Sequence, residues 1–143
     1  MLLALAYSIN SLSKTMGTAD YIISMSEGFL TPALLPAIIF VISAIMAFAT
    51  GSSWGTFAIC MPIALPLAFT FTGGELGTLV YACFGAVAGG GVFGDHCSPL
   101  SDTTVLSSTG SASDHIDHVQ TQLPYALCCG ALAIIVYLII GFT

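Results

Sequence analysis

Four apolar runs separated by short polar segments set the strongest limit on how this chain can fold. The runs cover residues 30–49, 57–71, 76–93 and 125–142. Charged residues make up only 6% of the 143 residues, whereas a soluble domain carries about 25%. Because a helix needs about 20 apolar residues to cross a bilayer, these runs predict an all-α polytopic membrane protein.

Two of the predicted helices are expected to be broken. Pro62 and Pro66 interrupt the run at residues 57–71, and a proline inside a helix removes a backbone hydrogen bond. Polar residues and a glycine divide the N-terminal segment, residues 2–26. The chain starts with apolar residues and lacks the basic segment and cleavage site of a signal peptide. We therefore expect one transmembrane domain over residues 1–143 that begins inside a helix of a larger protein.

The charge balance excludes nucleic acid as a partner. Seven acidic residues are opposed by one lysine and no arginine, and the formal net charge is -6. Binding to nucleic acid or to anionic lipid headgroups requires clusters of basic side chains. The five cysteines include no CxxC pair, and in apolar runs cysteine typically acts as a small buried apolar residue. The sequence thus predicts the lipid bilayer as a partner, and neither a cofactor nor a transition metal.

The first polar break, residues 50–56, carries hydroxyl groups and glycines but no charge. Non-helical backbone at membrane depth is tolerated only where it is buried in protein or lines a water-filled cavity. Transporters bind ions at such unwound segments, and hydroxyl oxygens suit an alkali cation. Packing of small residues between helices is the alternative, and Trp54 is interpreted as a packing or interfacial aromatic. The candidate Na+ ligands in this break are Thr50, Gly51, Ser52, Ser53 and Thr56.

The second polar break, residues 94–104, adds two carboxylates, Asp95 and Asp102. An ionisable residue at membrane depth is costly and indicates an ion or proton pathway. Removal of a carboxylate from water favours its protonated form, so one aspartate could bind Na+ and H+ in turn. An exposed loop with a turn at Pro99 is the alternative. The further candidate ligands for Na+ and H+ are Ser98, Ser101, Thr103 and Thr104.

The three histidines lie in or after the second break. His96 could relay protons near neutral pH, and it could equally orient Asp95 or face water. The polar side chains that follow are Asp114, His115, Asp117 and His118. Their spacing would allow a metal on one helical face, but it is more typical of a solvated helix start with Ser113 or Asp114 as the N-cap. We therefore predict no transition-metal site there.

Long motifs occupy both breaks. FGDHCSPLSDTT at residues 93–104 is followed by SSTG at residues 107–110 and HIDHVQTQLPY at residues 115–125. ATGSSWGT at residues 49–56 precedes MPIALP at residues 61–66. Over nearly its whole length, the sequence resembles the NhaC-type Na+/H+ antiporter family of the ion-transporter superfamily.

The resemblance implies a C-terminal repeat, one of two inverted repeats whose broken helices meet at a central ion site. Family members are much longer than this chain, so the missing N-terminal half, or a second chain, is an expected partner. The resemblance also implies that Na+ and H+ are the transported ions and that they bind at the candidate residues of the two breaks.

Three functional hypotheses remain open. The leading one is a secondary antiporter that exchanges Na+ for H+ across a bacterial cell membrane, with Asp102, together with Asp95, binding either ion. A Na+- or H+-coupled exchanger of carboxylates such as malate and lactate would use the same architecture. An inactive truncated half is a further alternative. An enzyme is not expected, because all three histidines lie in one polar stretch and no HExxH motif is present.

Overall fold

A computed structural model describes residues 8, 11, 12, 15–17, 21 and 31–142 of the chain. Residues 31–142 form five helices and no strand, so the all-α class is confirmed for this part. The broken helix predicted for residues 2–26 lies mostly outside the described residues. The helices are α1 (Leu35–Thr50), α2 (Ser53–Phe71), α3 (Thr78–Cys97), α4 (Asp102–Gly110) and α5 (His115–Gly141).

Three of these helices, α2, α3 and α5, are long and apolar enough to cross a membrane. The apolar helix α1 is shorter than the run at residues 30–49 from which it was predicted. Its 16 residues rise about 24 Å at 1.5 Å per residue, which is less than the roughly 30 Å hydrocarbon core of a bilayer. The helix begins at Leu35 with Pro36 in its first turn, where the missing N–H of proline costs no hydrogen bond.

Three further helices also differ from the sequence-based expectation. Helix α2 is continuous through Pro62 and Pro66, with Ser52 as its N-cap. Helix α3 continues past residue 93 to Cys97, so the second break is shorter than predicted. Helix α5 begins at His115, before the predicted span at residues 125–142. It begins there because the Asp114 carboxylate caps it, accepting hydrogen bonds from the first-turn amides. The N-cap predicted at Ser113 or Asp114 is therefore confirmed at the latter.

Helix α3 lies at the centre and contacts α1, α2, α4 and α5. Its glycines bring it against the backbone of α1: a Cβ at Gly90 would collide with the carbonyl oxygen of Phe40, and a Cβ at Gly94 with that of Ala44. Small residues allow helices to approach this closely in membranes. The glycine-rich run of α3 therefore packs directly against the backbone of α1.

Substituting alanine for Gly90 is expected to destabilise the protein by roughly 1–3 kcal/mol, because the added methyl group overpacks the interface between α1 and α3. The matched control is Gly85→Ala on the same helix, where a Cβ would lie 3.4 Å from the nearest atom, the hydroxyl oxygen of Tyr137. Thermal unfolding in detergent measures both variants. Equal midpoints would contradict the close packing of α1 on α3.

Candidate ion-binding site

The break between α1 and α2 is confined to Gly51 and Ser52. Gly51 has a φ of +65°, a left-handed conformation that glycine adopts without the steric cost of a side chain. The Ser52 hydroxyl accepts a hydrogen bond from the amide of Gly55 at 3.3 Å. The two threonines predicted as ligands lie in the flanking helices and bond to carbonyls there. Thr50 donates to Met46 at 2.8 Å, and Thr56 donates to Ser52 at 3.0 Å.

The break between α3 and α4 covers residues 98–101 and is held by buried serines. Ser98 and Ser101 are both 0% exposed. The Ser98 hydroxyl donates to the carbonyl of Phe48 near the end of α1 at 2.7 Å and accepts from the amide of Leu100 at 3.2 Å. Ser98 therefore ties the second break to the helix that leads into the first one.

The two breaks cross at Gly51 and Leu100. A Cβ built on Gly51 would lie 2.7 Å from the carbonyl carbon of Leu100 and 2.8 Å from its carbonyl oxygen. Real Cβ atoms essentially never approach so closely. Only glycine fits at this point, and the contact brings the polar groups of both breaks to one place.

A chain of hydrogen bonds leads from α4 to a buried carboxylate. The Ser101 hydroxyl donates to Oδ1 of Asp95 at 2.7 Å, and the Thr103 hydroxyl lies 2.7 Å from the Ser101 hydroxyl. Because the single hydroxyl hydrogen of Ser101 is used toward Asp95, Thr103 must donate to Ser101. Asp95 is 9% exposed, and within residues 31–142 its hydrogen-bonded oxygen is Oδ1, which leaves the other oxygen available to an ion.

A cavity of about 380 Å³ opens where the two breaks meet. Asp95 and Asp102 supply two carboxylates, and the exposed indole of Trp54 stands at the same cavity. Residues 31–142 include no lysine or arginine, so this part of the chain gives the cavity an acidic character. The lining residues are Gly51, Ser52, Ser53, Trp54, Asp95, Leu100, Asp102 and Thr103.

The structure separates the predicted site residues into two groups. Six of them line the cavity: Gly51, Ser52, Ser53, Asp95, Asp102 and Thr103. The other five hydroxyl residues, Thr50, Thr56, Ser98, Ser101 and Thr104, instead form hydrogen bonds around it. The exposed His96 is not among the residues that line the cavity; its backbone carbonyl accepts from Thr104 and from Gln122.

Trp54, Leu100 and two residues of α5 were missed by sequence reasoning. Trp54 lines the cavity although its position suggested a packing aromatic. His115 and Gln122 hydrogen bond to carbonyls at the second break, and their spacing along one helix was the signal available in the sequence. Among the described residues, no group of three His, Cys, Asp or Glu side chains could hold a metal ion.

Two breaks lined by carboxylates and hydroxyls, set among apolar helices, define a polytopic membrane protein of the secondary-transporter class. Residues 1–142 match the sequence profile of the Na+/H+ antiporter family. The chain belongs to this family, whose members are transporters and not enzymes.

Relatives of the chain have different names. A protein of Haemophilus influenzae without an assigned function is 47% identical over 142 residues, which are 99% of this chain and 27% of that protein. The arginine/ornithine antiporter ArcD of Halobacterium salinarum is 35% identical over 87% of this chain and 25% of that protein. The malate-2H+/Na+-lactate antiporter of Bacillus subtilis is 32% identical over 88% of this chain and 26% of that protein. The chain thus spans about a quarter of the length of these relatives. No solved structure matches it.

Proposed function

We propose that the chain supplies cation- and proton-binding residues of an antiporter that exchanges Na+ for H+ across a bacterial cell membrane. The observation that carries the proposal is the position of Asp95: its carboxylate is buried, accepts the Ser101 hydroxyl at 2.7 Å and lines the cavity between the two breaks. A carboxylate at membrane depth marks an ion or proton pathway.

The proposed mechanism is competition between the two ions at one site. Na+ binds to the Asp95 carboxylate and to the hydroxyl oxygens that line the cavity, with Asp102 adding a second negative charge. Protonation of Asp95 removes the charge that holds Na+, so the site carries one ion in each direction. Alternating access moves the site between the two sides of the membrane, and the remainder of the longer protein completes the path.

The eleven predicted ligands divide by role in this proposal. Asp95, Asp102, Ser52, Ser53 and Thr103 offer side-chain oxygens to the cavity, while Gly51 allows the breaks to meet. The remaining five, Thr50, Thr56, Ser98, Ser101 and Thr104, support the backbone or the carboxylate that binds the ion.

A basic amino acid is a second candidate substrate, because Trp54 lines the acidic cavity and is 72% exposed. An ammonium or guanidinium group is attracted both by carboxylates and by the face of an aromatic ring. The arginine/ornithine antiporter of Halobacterium salinarum is a relative of matching substrate chemistry. Exchange of malate and lactate, as named for the Bacillus subtilis relative, would place a carboxylate substrate beside two aspartates, so we rank it lower.

Proteoliposomes that contain a pH-sensitive dye test the proposal. The chain is reconstituted alone and, in parallel, in place of the matching segment of the full-length Haemophilus influenzae relative, of which it covers 27%. We expect Na+ to change the internal pH in the chimera, and Li+ and K+ define selectivity. Labelled arginine uptake without a Na+ response would favour the second candidate. Malate uptake alone would overturn both.

A further inference from the structure

Two side chains of α5 hydrogen bond to backbone carbonyls at the break between α3 and α4. Nε2 of His115 lies 2.8 Å from the carbonyl oxygen of Pro99, and Nε2 of Gln122 donates to the carbonyl of His96 at 3.0 Å. Seven residues separate His115 from Gln122, which is about two helical turns. The two side chains therefore project from the same face of α5.

The direction of both hydrogen bonds follows from the chemistry of the partners. A carbonyl oxygen can only accept, so Nε2 of His115 carries a proton and the amide nitrogen of Gln122 faces His96. Nδ1 of His115 lies 3.2 Å from the Ser108 hydroxyl of α4, so this imidazole joins the break to the half-helix that follows it. Oε1 of Gln122 is buried without a partner among the described residues. The hydrogen bond from Nε2 to the His96 carbonyl is therefore the contact that fixes this side chain.

These carbonyls need donors from elsewhere because a helix ends here. The last carbonyls of a helix have no partner within it, and in a membrane an unsatisfied carbonyl is costly. Thr104 supplies one further donor to His96 at 3.3 Å. The carbonyls of His96 and Pro99 lie in the segment that joins Asp95 to Ser101, so the contacts from α5 act on the segment that brings this pair together.

We propose that His115 and Gln122 are positioning residues, which hold the break between α3 and α4 in the shape that sets Ser101 against Asp95. The effect of these residues on transport rests on the proposed function. Their effect on the structure of the break can be measured without any transport assay.

The first experiment compares two substitutions of His115 in the chimera described above. Glutamine places an amide nitrogen near the position of Nε2 and can still donate to Pro99, whereas asparagine reaches only as far as Nδ1. His115→Asn is expected to raise the apparent KM for Na+ about fivefold, the equivalent of one lost hydrogen bond, with Vmax unchanged. His115→Gln is expected to restore the native KM. His118→Asn, on the same helix, is the control and should match the native protein.

The second experiment uses Cys97, the last residue of α3, as a native reporter of the break. Cys97 is 3% exposed, and Cys83, in the N-terminal half of the same helix, is 0% exposed. With the exposed Cys128 and Cys129 replaced by serine, N-ethylmaleimide labelling followed by mass spectrometry gives the alkylation rate of each buried thiol. His115→Asn and Gln122→Met are expected to speed labelling of Cys97 about fivefold and to leave Cys83 unchanged.

The outcomes separate the two proposals. Faster labelling of Cys97 without a Na+ response in the native chimera would support the positioning role and refute Na+/H+ exchange. Equal acceleration at Cys97 and Cys83 would show general loosening of the fold and overturn the positioning role. Native rates in both variants would overturn it as well.

Discussion

Replacing Asp95 with asparagine is expected to abolish Na+-driven proton movement in the reconstituted chimera. In the native protein the Ser101 hydroxyl lies 2.7 Å from Oδ1 of Asp95. Asparagine keeps the shape of the side chain and an oxygen that can accept this hydrogen bond, so the break should keep its geometry. The negative charge and the protonatable oxygen are both lost. Removing one partner of a buried charge pair costs roughly 2–5 kcal/mol, which corresponds to about 30- to 5,000-fold in Na+ affinity.

Binding of ²²Na+ and the dye assay measure the two halves of this prediction. Asp117→Asn is the matched control, because it removes the same charge from an exposed position in the first turn of α5. Asp102→Asn is expected to weaken Na+ binding less than Asp95→Asn, since Asp102 is exposed. Na+ exchange that survives in Asp95→Asn would remove this carboxylate from the mechanism. Malate transport that improves in the variant would instead identify a carboxylate substrate that the native aspartate repels.

The position of the candidate site was predictable because polar residues are costly between membrane helices. Non-helical backbone at membrane depth indicates burial in protein or a cavity, which made the hydroxyl-rich segments at residues 50–56 and 94–104 the candidates. The structure places residues of both segments in the lining of one cavity. Close approach of some neighbouring helix to the glycines of α3 was also accessible from residue type, although the identity of that neighbour, α1, was not. Local sequence was sufficient for these features, since each depends on residue type within one segment.

The end of α3 could not be predicted, because it depends on a contact with another helix. Gly94, Asp95 and His96 are poor helix formers, and they resemble the start of a loop. Gly94 packs against the backbone of α1, and this tertiary contact is available only to a helix that continues past residue 93. Asp95 therefore lies on the last turn of α3, where its carboxylate meets Ser101 across the break.

The long-range partners of the break were not predicted either, because a shared face on α5 does not show what that face contacts. The bonds from His115 to Pro99 and from Gln122 to His96 join residues that are far apart along the chain. Helix α2 gives a further example, since Pro62 and Pro66 suggested a broken helix yet lie within a continuous one. Packing of α2 against α3 supplies stabilisation that propensity alone does not include.

Replacing Gly51 with alanine is expected to separate the two breaks and to reduce Na+-driven flux to the level of empty liposomes. Two costs act together at this position. A φ of +65° costs an L-residue roughly 1–2 kcal/mol, and the new methyl group would lie 2.7 Å from the carbonyl carbon of Leu100. Overpacking of this kind costs roughly 1–3 kcal/mol, and backbone cannot rotate aside as a side chain could. Relief requires the second break to move away from Ser52 and Ser53, which opens the ion site.

Gly73→Ala separates the steric contact from the backbone strain. Gly73 has nearly the same φ, +67°, but no atom lies within 4 Å of a Cβ at that position. The Gly73→Ala variant should therefore show only the conformational cost and should transport Na+ at close to the native rate. Thermal unfolding and dye-detected flux are measured on both variants. Equal flux in the two would mean that the crossing of Gly51 and Leu100 does not hold the ion site together. Loss confined to Gly51→Ala would show that binding depends on the two breaks meeting at a point where only glycine fits.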